Sequence, residues 1–242
     1  MPSQSFSARL VSVRNLTESV RELVLEKDGG PLLYEPGQWI NLEIPGTGEP
    51  PLTRAYSIAS APSATPRFEL AITRVATGPG SRILHDLVPG STLVASGPSG
   101  FFTRPATLGV PSLFVGTGTG VTPLRSMIVA AARAGAKEPL VLLVGVRGES
   151  DMLYAEELRA LSAAHPNVDV VYTLSQPTES WTGARGYVQD HVPGLLTAIA
   201  ERGAGDPHVF ICGLERMVKA VRDLTRKDLL LPRERIHSER YD

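Results

Sequence analysis

The most constraining feature of this sequence is a glycine-rich segment at residues 112–125, Ser-Leu-Phe-Val-Gly-Thr-Gly-Thr-Gly-Val-Thr-Pro-Leu-Arg. A short apolar run, typical of a buried strand, stops at three alternating glycines, and Pro123 follows where a helix can begin. Glycine lets the backbone bend sharply and approach a ligand closely, and the free N–H groups of a helix start attract negative charge. The segment therefore predicts a strand, a phosphate-binding turn and a helix.

Two common phosphate-binding loops do not fit this segment. A P-loop ends in Gly-Lys followed by Ser or Thr, whereas Val121 follows the third glycine here, so a nucleoside triphosphatase is disfavoured. A fingerprint of the form G-x-G-x-x-G needs glycine at the position of Val121, so that match is partial. Taken alone, the loop fits either a nucleotide site or a tight structural turn.

The composition is that of an ordinary globular protein. The 242 residues suffice for one large or two modest domains, with 42% hydrophobic and 20% charged residues. A net charge of −1, no secretory signal and no apolar stretch of the ~20 residues that span a bilayer predict a cytoplasmic protein without nucleic-acid or membrane partners. The single cysteine, Cys212, excludes an internal disulfide and a thiolate-held iron–sulfur cluster from this chain, and we expect no metal site.

The two halves of the chain differ in pattern, which predicts two domains, 1–104 and 105–242. Between residues 6 and 96, short and partly alternating apolar runs separated by turns indicate an antiparallel sheet or barrel, with a short helix near Ser81. In the second half, strand-like runs alternate with helical segments, which predicts a doubly wound parallel sheet. The strands are expected at 113–115, 140–146, 168–174 and 208–211, and the helices near 124–134, 154–164, 195–202 and 215–224.

The segment Arg54-Ala55-Tyr56-Ser57 presents a cation, an aromatic face and a hydroxyl from one strand. Arginine pairs with a diphosphate, tyrosine lies against a flat ring and serine hydrogen-bonds a ring nitrogen, which are three needs of a flavin dinucleotide. By themselves, these residues equally fit an ordinary half-buried strand. The segment Gly78-Pro79-Gly80-Ser81-Arg82 adds a second diphosphate cradle at a predicted helix start.

In order and spacing, these motifs resemble those of the ferredoxin–NADP reductase family over almost the whole chain. They are Pro36-Gly37-Gln38, Arg-x-Tyr-Ser at 54–57, Gly-x-x-Ser at 78–81, Gly97-Pro98 with Gly100, Gly-Thr-Gly-Thr-Gly-Val-Thr-Pro at 116–123, and Cys212-Gly213 with Met217. The resemblance implies an N-terminal six-stranded antiparallel β-barrel that binds FAD. It also implies a C-terminal α/β domain that binds NADP or NAD, with the two cofactors meeting in the cleft between the domains.

The resemblance also implies which residues contact each cofactor. Arg54 is expected at the FAD diphosphate, Tyr56 on the isoalloxazine ring and Ser57 near flavin N5. The remaining FAD contacts implied are Ile72, Arg74, Gly80, Ser81 and Arg82. The nicotinamide coenzyme is expected to contact Gly116, Thr117, Gly118, Gly120, Thr122, Arg147, Ser175, Arg185, Cys212, Gly213 and Met217.

Ser57, Cys212, Glu239 and Tyr241 are the predicted catalytic residues. Cys212 would lie close to the nicotinamide, although a lone cysteine at a strand end is commonly just a small apolar side chain. Glu239 and Tyr241 match a terminal Glu-x-aromatic motif that lies over the flavin in the family, while the additional Asp242 departs from members that end on the aromatic residue. We expect Tyr241 to cover the flavin face and to move when nicotinamide stacks there.

The sequence favours NADP over NAD without deciding between them. A 2′-phosphate prefers arginine near the end of the second strand, and the run 140–146 is followed by Arg147. Arg147 and Arg185 lie where NADP-using relatives often contact that phosphate. Gln176, however, replaces an arginine that is common in those relatives.

The implied activity is hydride transfer between nicotinamide C4 and flavin N5, followed by release of single electrons to a separate carrier. Ferredoxin or flavodoxin is the leading carrier, and eight basic residues against five acidic ones between positions 214 and 241 are compatible with an acidic partner or with an ion-paired surface. A monomer is expected. The alternatives are the reductase component of an oxygenase, a flavin reductase, and a non-catalytic nucleotide-sensing module.

Overall fold

Two six-stranded sheets, one from each half of the chain, form the framework of the described residues. The structure is a computed structural model and describes residues 4–75, 79–203 and 205–241. No helix within these ranges is long and apolar enough to cross a membrane. The first half contains β1 (Ser5–Asn15), β2 (Val20–Lys27), β3 (Trp39–Ile44), β4 (Leu52–Ser57), β5 (Arg67–Thr73), α1 (Pro79–Asp86) and β6 (Thr92–Ser99). The second half contains β7 (Ser112–Thr117), α2 (Val121–Arg133), β8 (Leu140–Val146), α3 (Ala155–Ala164), β9 (Val168–Leu174), β10 (Ala184–Arg185), α4 (Val188–Glu201), β11 (His208–Leu214), α5 (Glu215–Asp223) and β12 (Ile236–Tyr241).

The first sheet is antiparallel and closes into a barrel. Its strand order is β4-β3-β6-β1-β2-β5, and its edges meet where Ile58, just after β4, bridges to Leu70 of β5. Along β3 every second side chain turns inward, so Ile40, Leu42 and Ile44 are fully buried in the barrel core. The predicted six-stranded antiparallel barrel is therefore confirmed.

The second sheet is parallel and is covered by helices on both faces. Its strand order is β10-β9-β8-β7-β11-β12. In the central strand β7, Phe114 belongs to the buried cluster that includes Leu124 of α2, whereas Leu113 and Val115 belong to a second cluster with Val192 of α4. A strand buried on both faces reads as a continuous apolar run, which is how β7 appears in the sequence. The predicted doubly wound parallel sheet is confirmed.

Helix α4 is longer than the sequence predicts. It begins at Val188 rather than near Leu195, and it passes through Pro193. A proline inside a helix lacks an N–H and costs about 3 kcal/mol. The buried face of α4 includes Val188, Val192 and Ile199, and burial of each such side chain contributes about 1.5–3 kcal/mol, which outweighs that cost. The predicted start was wrong because packing overrides the local preference of proline.

Strand β12 forms an edge of the parallel sheet, although its sequence Ile-His-Ser-Glu-Arg-Tyr contains no apolar run. It pairs in parallel with β11, which places Glu239 beside Cys212 and Tyr241 beside Leu214. The carboxyl ends of parallel strands meet at one edge of a sheet, where ligands bind. β12 therefore brings Glu239 and Tyr241 to the edge where the glycine loop follows β7.

A largely buried arginine of α2 joins the two sheets. Arg125 donates from Nη1 to the carbonyl oxygen of Ala59 at 2.9 Å and to Oε2 of Glu69 at 2.6 Å, both in the barrel half. Its Nη2 donates to Oε2 of Glu157 in α3 at 2.7 Å, and its guanidinium carbon lies 4.4 Å from the centroid of the Tyr154 ring. These contacts, called the Arg125 clamp below, hold the barrel against the parallel sheet and fix the space between them.

Candidate functional site

A cleft of about 540 Å³, called the barrel cleft below, opens between the barrel and the parallel sheet beside β4, α1 and β12. It brings together residues that lie far apart in the sequence. The predicted site residues that line it are Arg54, Tyr56, Ser57, Gly80, Ser81, Thr122, Glu239 and Tyr241.

Strand β4 carries three of these residues into the cleft. Arg54 is exposed, and its Nη1 donates to the carbonyl oxygen of the adjacent Thr53 at 2.9 Å. Tyr56 is half-buried, and burial raises the pKa of its phenol, so the hydroxyl stays protonated at neutral pH. Ser57 is buried and pairs in register with Trp39 of β3, whose side chain also lines the cleft. Strand β4 thus contributes a cation, an aromatic ring and a hydroxyl group to the lining of the cleft.

A cluster of hydroxyls connects the barrel to β12. Tyr241 Oη donates to Ser57 Oγ at 2.6 Å and lies 3.5 Å from Oγ1 of Thr122 in α2. Ser57 Oγ lies 3.5 Å from Oε1 of Glu239. Burial raises the pKa of Tyr241 well above its usual value and raises the pKa of Glu239 to about 7. Tyr241 is therefore a permanent hydrogen-bond donor across the cleft, while Glu239 changes charge near neutral pH.

Helix α1 contributes Gly80 and Ser81 to the opposite wall, where the buried Ser81 Oγ accepts from the backbone N–H of Val75 at 3.0 Å. Three further residues expected at FAD do not line the barrel cleft: Ile72 is fully buried in the barrel core, and Arg74 and Arg82 are exposed away from the lining. Their roles remain predictions. Gly78, which belongs to the same motif, lies outside the described residues.

A second cleft of about 510 Å³, called the sheet cleft below, lies at the carboxyl ends of β7, β8 and β11. Thr73 and Thr119 line both clefts, so the two adjoin. The predicted coenzyme contacts that line the sheet cleft are Thr117, Gly118, Arg147, Ser175 and Met217.

The glycine loop after β7 is shaped by two close constraints. Gly118 has φ +53°, a left-handed conformation that favours glycine. Gly120 packs directly on the backbone of Cys212 and Gly213, and a Cβ atom at this position would collide with both residues. Oγ1 of Thr117 is buried without a hydrogen-bond partner among the described residues. The loop therefore rests on β11 and holds a buried hydroxyl that has no hydrogen-bond partner among the described residues.

Cys212 lies beneath this loop and lines neither cleft. Its side chain is fully buried, and burial raises the pKa of the thiol above its usual value. A neutral buried thiol is not a nucleophile, and the expected place of Cys212 beside the nicotinamide stays a prediction. Gly213 follows it with φ +149° and abuts Thr117, and Gly116 lies buried under Leu124 of α2.

The two arginines expected to distinguish NADP from NAD, Arg147 and Arg185, are in different environments. Arg147 is exposed at the end of β8 and lines the sheet cleft together with Ser175, the residue that follows β9. Arg185 donates from Nη2 to the carbonyl oxygens of Thr178 at 3.1 Å and Trp181 at 2.7 Å and does not line the sheet cleft. Arg147, but not Arg185, therefore lines the sheet cleft, and the coenzyme contacts expected of both residues stay predictions.

Sequence reasoning missed several lining residues. Trp39 lines the barrel cleft, and Tyr187 and Arg216 line the sheet cleft. Arg216 could have been found, because it follows the Cys212-Gly213 motif closely at the start of α5. Trp39 carried no such signal, since its position beside Ser57 depends on the β3–β4 register.

The chemistry of both clefts fits the expected cofactors. In the barrel cleft, Arg54 can pair with a diphosphate and Ser57 can donate a hydrogen bond to a ring nitrogen. In the sheet cleft, a ligand atom would satisfy the unpartnered Oγ1 of Thr117.

Comparison with known proteins decides the family. A model described as an oxidoreductase FAD-binding domain matches residues 7–103, and an oxidoreductase NAD-binding domain matches residues 114–223. The ferredoxin–NADP reductase B of Sorangium cellulosum is 54% identical over 243 residues, which cover 99% of each chain. The chain belongs to the ferredoxin–NADP reductase family. It is an FAD-dependent NAD(P)H oxidoreductase.

Some of the similar proteins are longer than this chain. The phenol hydroxylase P5 protein of Acinetobacter pittii is 28% identical over 98% of this chain, which corresponds to 66% of its own length. Among solved structures, the Amycolatopsis cytochrome P450 reductase GcoB superposes with a TM-score of 0.82 at 28% identity, covering 99% of this chain and 70% of that one. In both relatives, the part similar to this chain makes up about two thirds of the protein.

Proposed function

We propose that this reductase transfers electrons between NADPH and a one-electron protein carrier, either ferredoxin or flavodoxin. The observation that carries the proposal is the adjacency of the two clefts, which share Thr73 and Thr119. A flavin in the barrel cleft and a nicotinamide entering from the sheet cleft would meet there. The name of the Sorangium cellulosum relative supports the same assignment.

The barrel cleft would hold FAD, which would supply the chemistry of hydride transfer between nicotinamide C4 and flavin N5 and of single-electron release. Arg54 and the start of α1 would hold its diphosphate, and Tyr56 would lie against the flavin ring. The hydroxyl of Ser57 would donate a hydrogen bond to flavin N5. Tyr241 now bonds to that hydroxyl at 2.6 Å, so it would have to move aside when nicotinamide enters.

The coenzyme preference for NADPH rests on Arg147. Its guanidinium has no hydrogen bond or ion pair within the described ranges, and it lines the cleft at the end of β8, where a 2′-phosphate is commonly bound. Arg147→Ala should raise the KM for NADPH about tenfold and leave the KM for NADH unchanged, because only NADPH carries that phosphate. Equal use of both coenzymes by the wild type, with no effect of the variant, would contradict the preference.

The electron carrier, the cellular location and the oligomeric state are also proposals. The 242 residues contain one cysteine, too few for a thiolate-held iron–sulfur cluster, so we propose a carrier that lies outside these residues. The phenol hydroxylase P5 relative favours a second candidate, the reductase component of an oxygenase. We propose further that the protein is a cytoplasmic monomer divided into domains 1–104 and 105–242, with each sheet built within one of them.

Spectroscopy of the purified protein tests the main proposal. A yellow protein that bleaches with NADPH and recovers its colour when ferredoxin and a terminal acceptor are added would support it. A colourless protein that cannot take up FAD would overturn it. Recovery with an oxygenase component but not with ferredoxin or flavodoxin would favour the second candidate.

A further inference from the structure

The glycine loop lacks a cation of its own. Residues 116–124 contain no lysine or arginine, so the loop can offer only neutral N–H and hydroxyl groups to a diphosphate. The next basic residue, Arg125, is held in the Arg125 clamp by Glu69 and Glu157. The backbone N–H groups of the loop can hold a diphosphate, and a positive charge from another element would strengthen that binding.

Arg216 supplies a charge at the required place. It is the second residue of α5, it is exposed, and it lines the sheet cleft together with Thr117 and Gly118. Its guanidinium makes no hydrogen bond or ion pair within the described part of the chain. Arg147 and Arg216 are the two basic side chains among the described residues of the cleft lining.

The sheet order places these two arginines on opposite sides of the loop. β7 lies between β8 and β11, so Arg147 flanks the loop from the β8 side and Arg216 from the β11 side. In doubly wound sheets the diphosphate lies over the loop of the first strand, and the 2′-position of the adenosine ribose lies toward the end of the second. The position of Arg147 suits the 2′-phosphate, whereas that of Arg216 suits the diphosphate.

We propose that Arg216 binds the coenzyme diphosphate and so serves NADH and NADPH equally, while Arg147 alone distinguishes them. This inference rests on the proposed function, since it assumes a nicotinamide coenzyme in the sheet cleft. A diphosphate contact acts on a group that both coenzymes share. Arg216→Ala should therefore raise the KM of both by the same factor, about tenfold, because a charge-assisted hydrogen bond is lost.

Calorimetric titration of the FAD-loaded protein with coenzyme fragments separates the two roles. ADP-ribose carries the diphosphate without a 2′-phosphate, and 2′-AMP carries a 2′-phosphate without the diphosphate. Arg216→Ala should weaken ADP-ribose binding about tenfold and leave 2′-AMP binding unchanged, and Arg147→Ala should do the reverse. Lys219→Ala is the matched control, because Lys219 is exposed on the same helix, carries the same charge and does not line the cleft.

The outcomes distinguish this inference from the proposed function. If the wild type binds both fragments and Arg216→Ala behaves like Lys219→Ala, the role of Arg216 is refuted while the proposed function stands. Loss of 2′-AMP binding in Arg216→Ala, with ADP-ribose binding intact, would refute the diphosphate assignment. Failure of the wild type to bind either fragment or to oxidise NADPH would refute the proposed function and this inference with it. Arg216→Lys, which keeps the charge, should retain most of the ADP-ribose affinity and so separates charge loss from a folding defect.

Discussion

Replacing Arg125 with alanine removes a cation that bridges the barrel and the parallel sheet. The Arg125 side chain is 13% exposed, and its guanidinium contacts Glu69 and Glu157, which are 28% and 36% exposed. The substitution leaves both carboxylates without this partner and takes a donor from the carbonyl oxygen of Ala59. Glu157 keeps a second ion pair with Arg14, so it is not left wholly unpaired.

The size of the effect follows from the burial of the partners. Removing one member of a buried ion pair costs about 3–5 kcal/mol, because the remaining charge is left without compensation. Both carboxylates retain some contact with water, so we expect the lower end, about 3 kcal/mol in the free energy of unfolding. For a chain of this size each kcal/mol shifts Tm by about 2–4 °C, which gives a fall of about 6–12 °C.

Thermal unfolding followed by circular dichroism, supported by urea titration, measures this loss. Arg133→Ala is the matched control, because Arg133 is exposed at the end of the same helix and its substitution should change stability by less than about 0.5 kcal/mol. A Tm for Arg125→Ala that equals that of Arg133→Ala would refute the view that the Arg125 clamp holds the two sheets together.

Three further predictions concern the clefts. Tyr241→Ser should tighten nicotinamide binding for both coenzymes, because the phenol that is hydrogen-bonded to Ser57 no longer occupies the place where the two clefts adjoin. Unchanged kinetics would refute the view that Tyr241 covers the flavin. Burial raises the pKa of Glu239 from 4.5 to about 7, so the folded protein is more stable when this carboxyl group is protonated. That contribution to the free energy of unfolding is full below about pH 4.5 and is lost as the pH rises through about 7. Between about pH 6 and about pH 8 the wild type should lose about 1 kcal/mol relative to Glu239→Gln, a value reduced for solvent screening in the open cleft; parallel Tm profiles of the two proteins would contradict this. Because its thiol is buried and neutral, Cys212 should resist iodoacetamide in the folded protein and react after unfolding in urea, as read by mass spectrometry; rapid alkylation of the native protein would show that the site is open.

The parts of this fold that follow from local pattern were predictable. The alternating side chains of β3 and the continuous apolar run of β7 predict an antiparallel barrel strand and a doubly covered parallel strand, and both are confirmed. The motifs predicted the family correctly, because their order and spacing can be compared along the sequence without knowing where each segment lies in the fold.

The parts that depend on tertiary contacts were not predictable. β12 is polar and becomes a strand because β11 offers it an unpaired edge, an opportunity that no property of residues 236–241 reveals. Arg185 does not line the cleft, because its guanidinium donates hydrogen bonds to carbonyl oxygens of the preceding loop. The basic residues near the C-terminus are partly ion-paired, as in Lys227 with Asp223, which weakens them as a mark of an acidic partner.

The parallel pairing of β12 with β11 sets the time scale on which the meeting point can open. Tyr241 pairs with Leu214 at the final position of that ladder, so releasing it requires fraying of a strand end and no rotation of one domain against the other. Local opening of a paired strand end takes microseconds to seconds, a range that includes the turnover time of typical enzymes, about a millisecond to a second. Release of Tyr241 therefore stands beside hydride transfer and exchange of the carrier among the steps that can limit turnover.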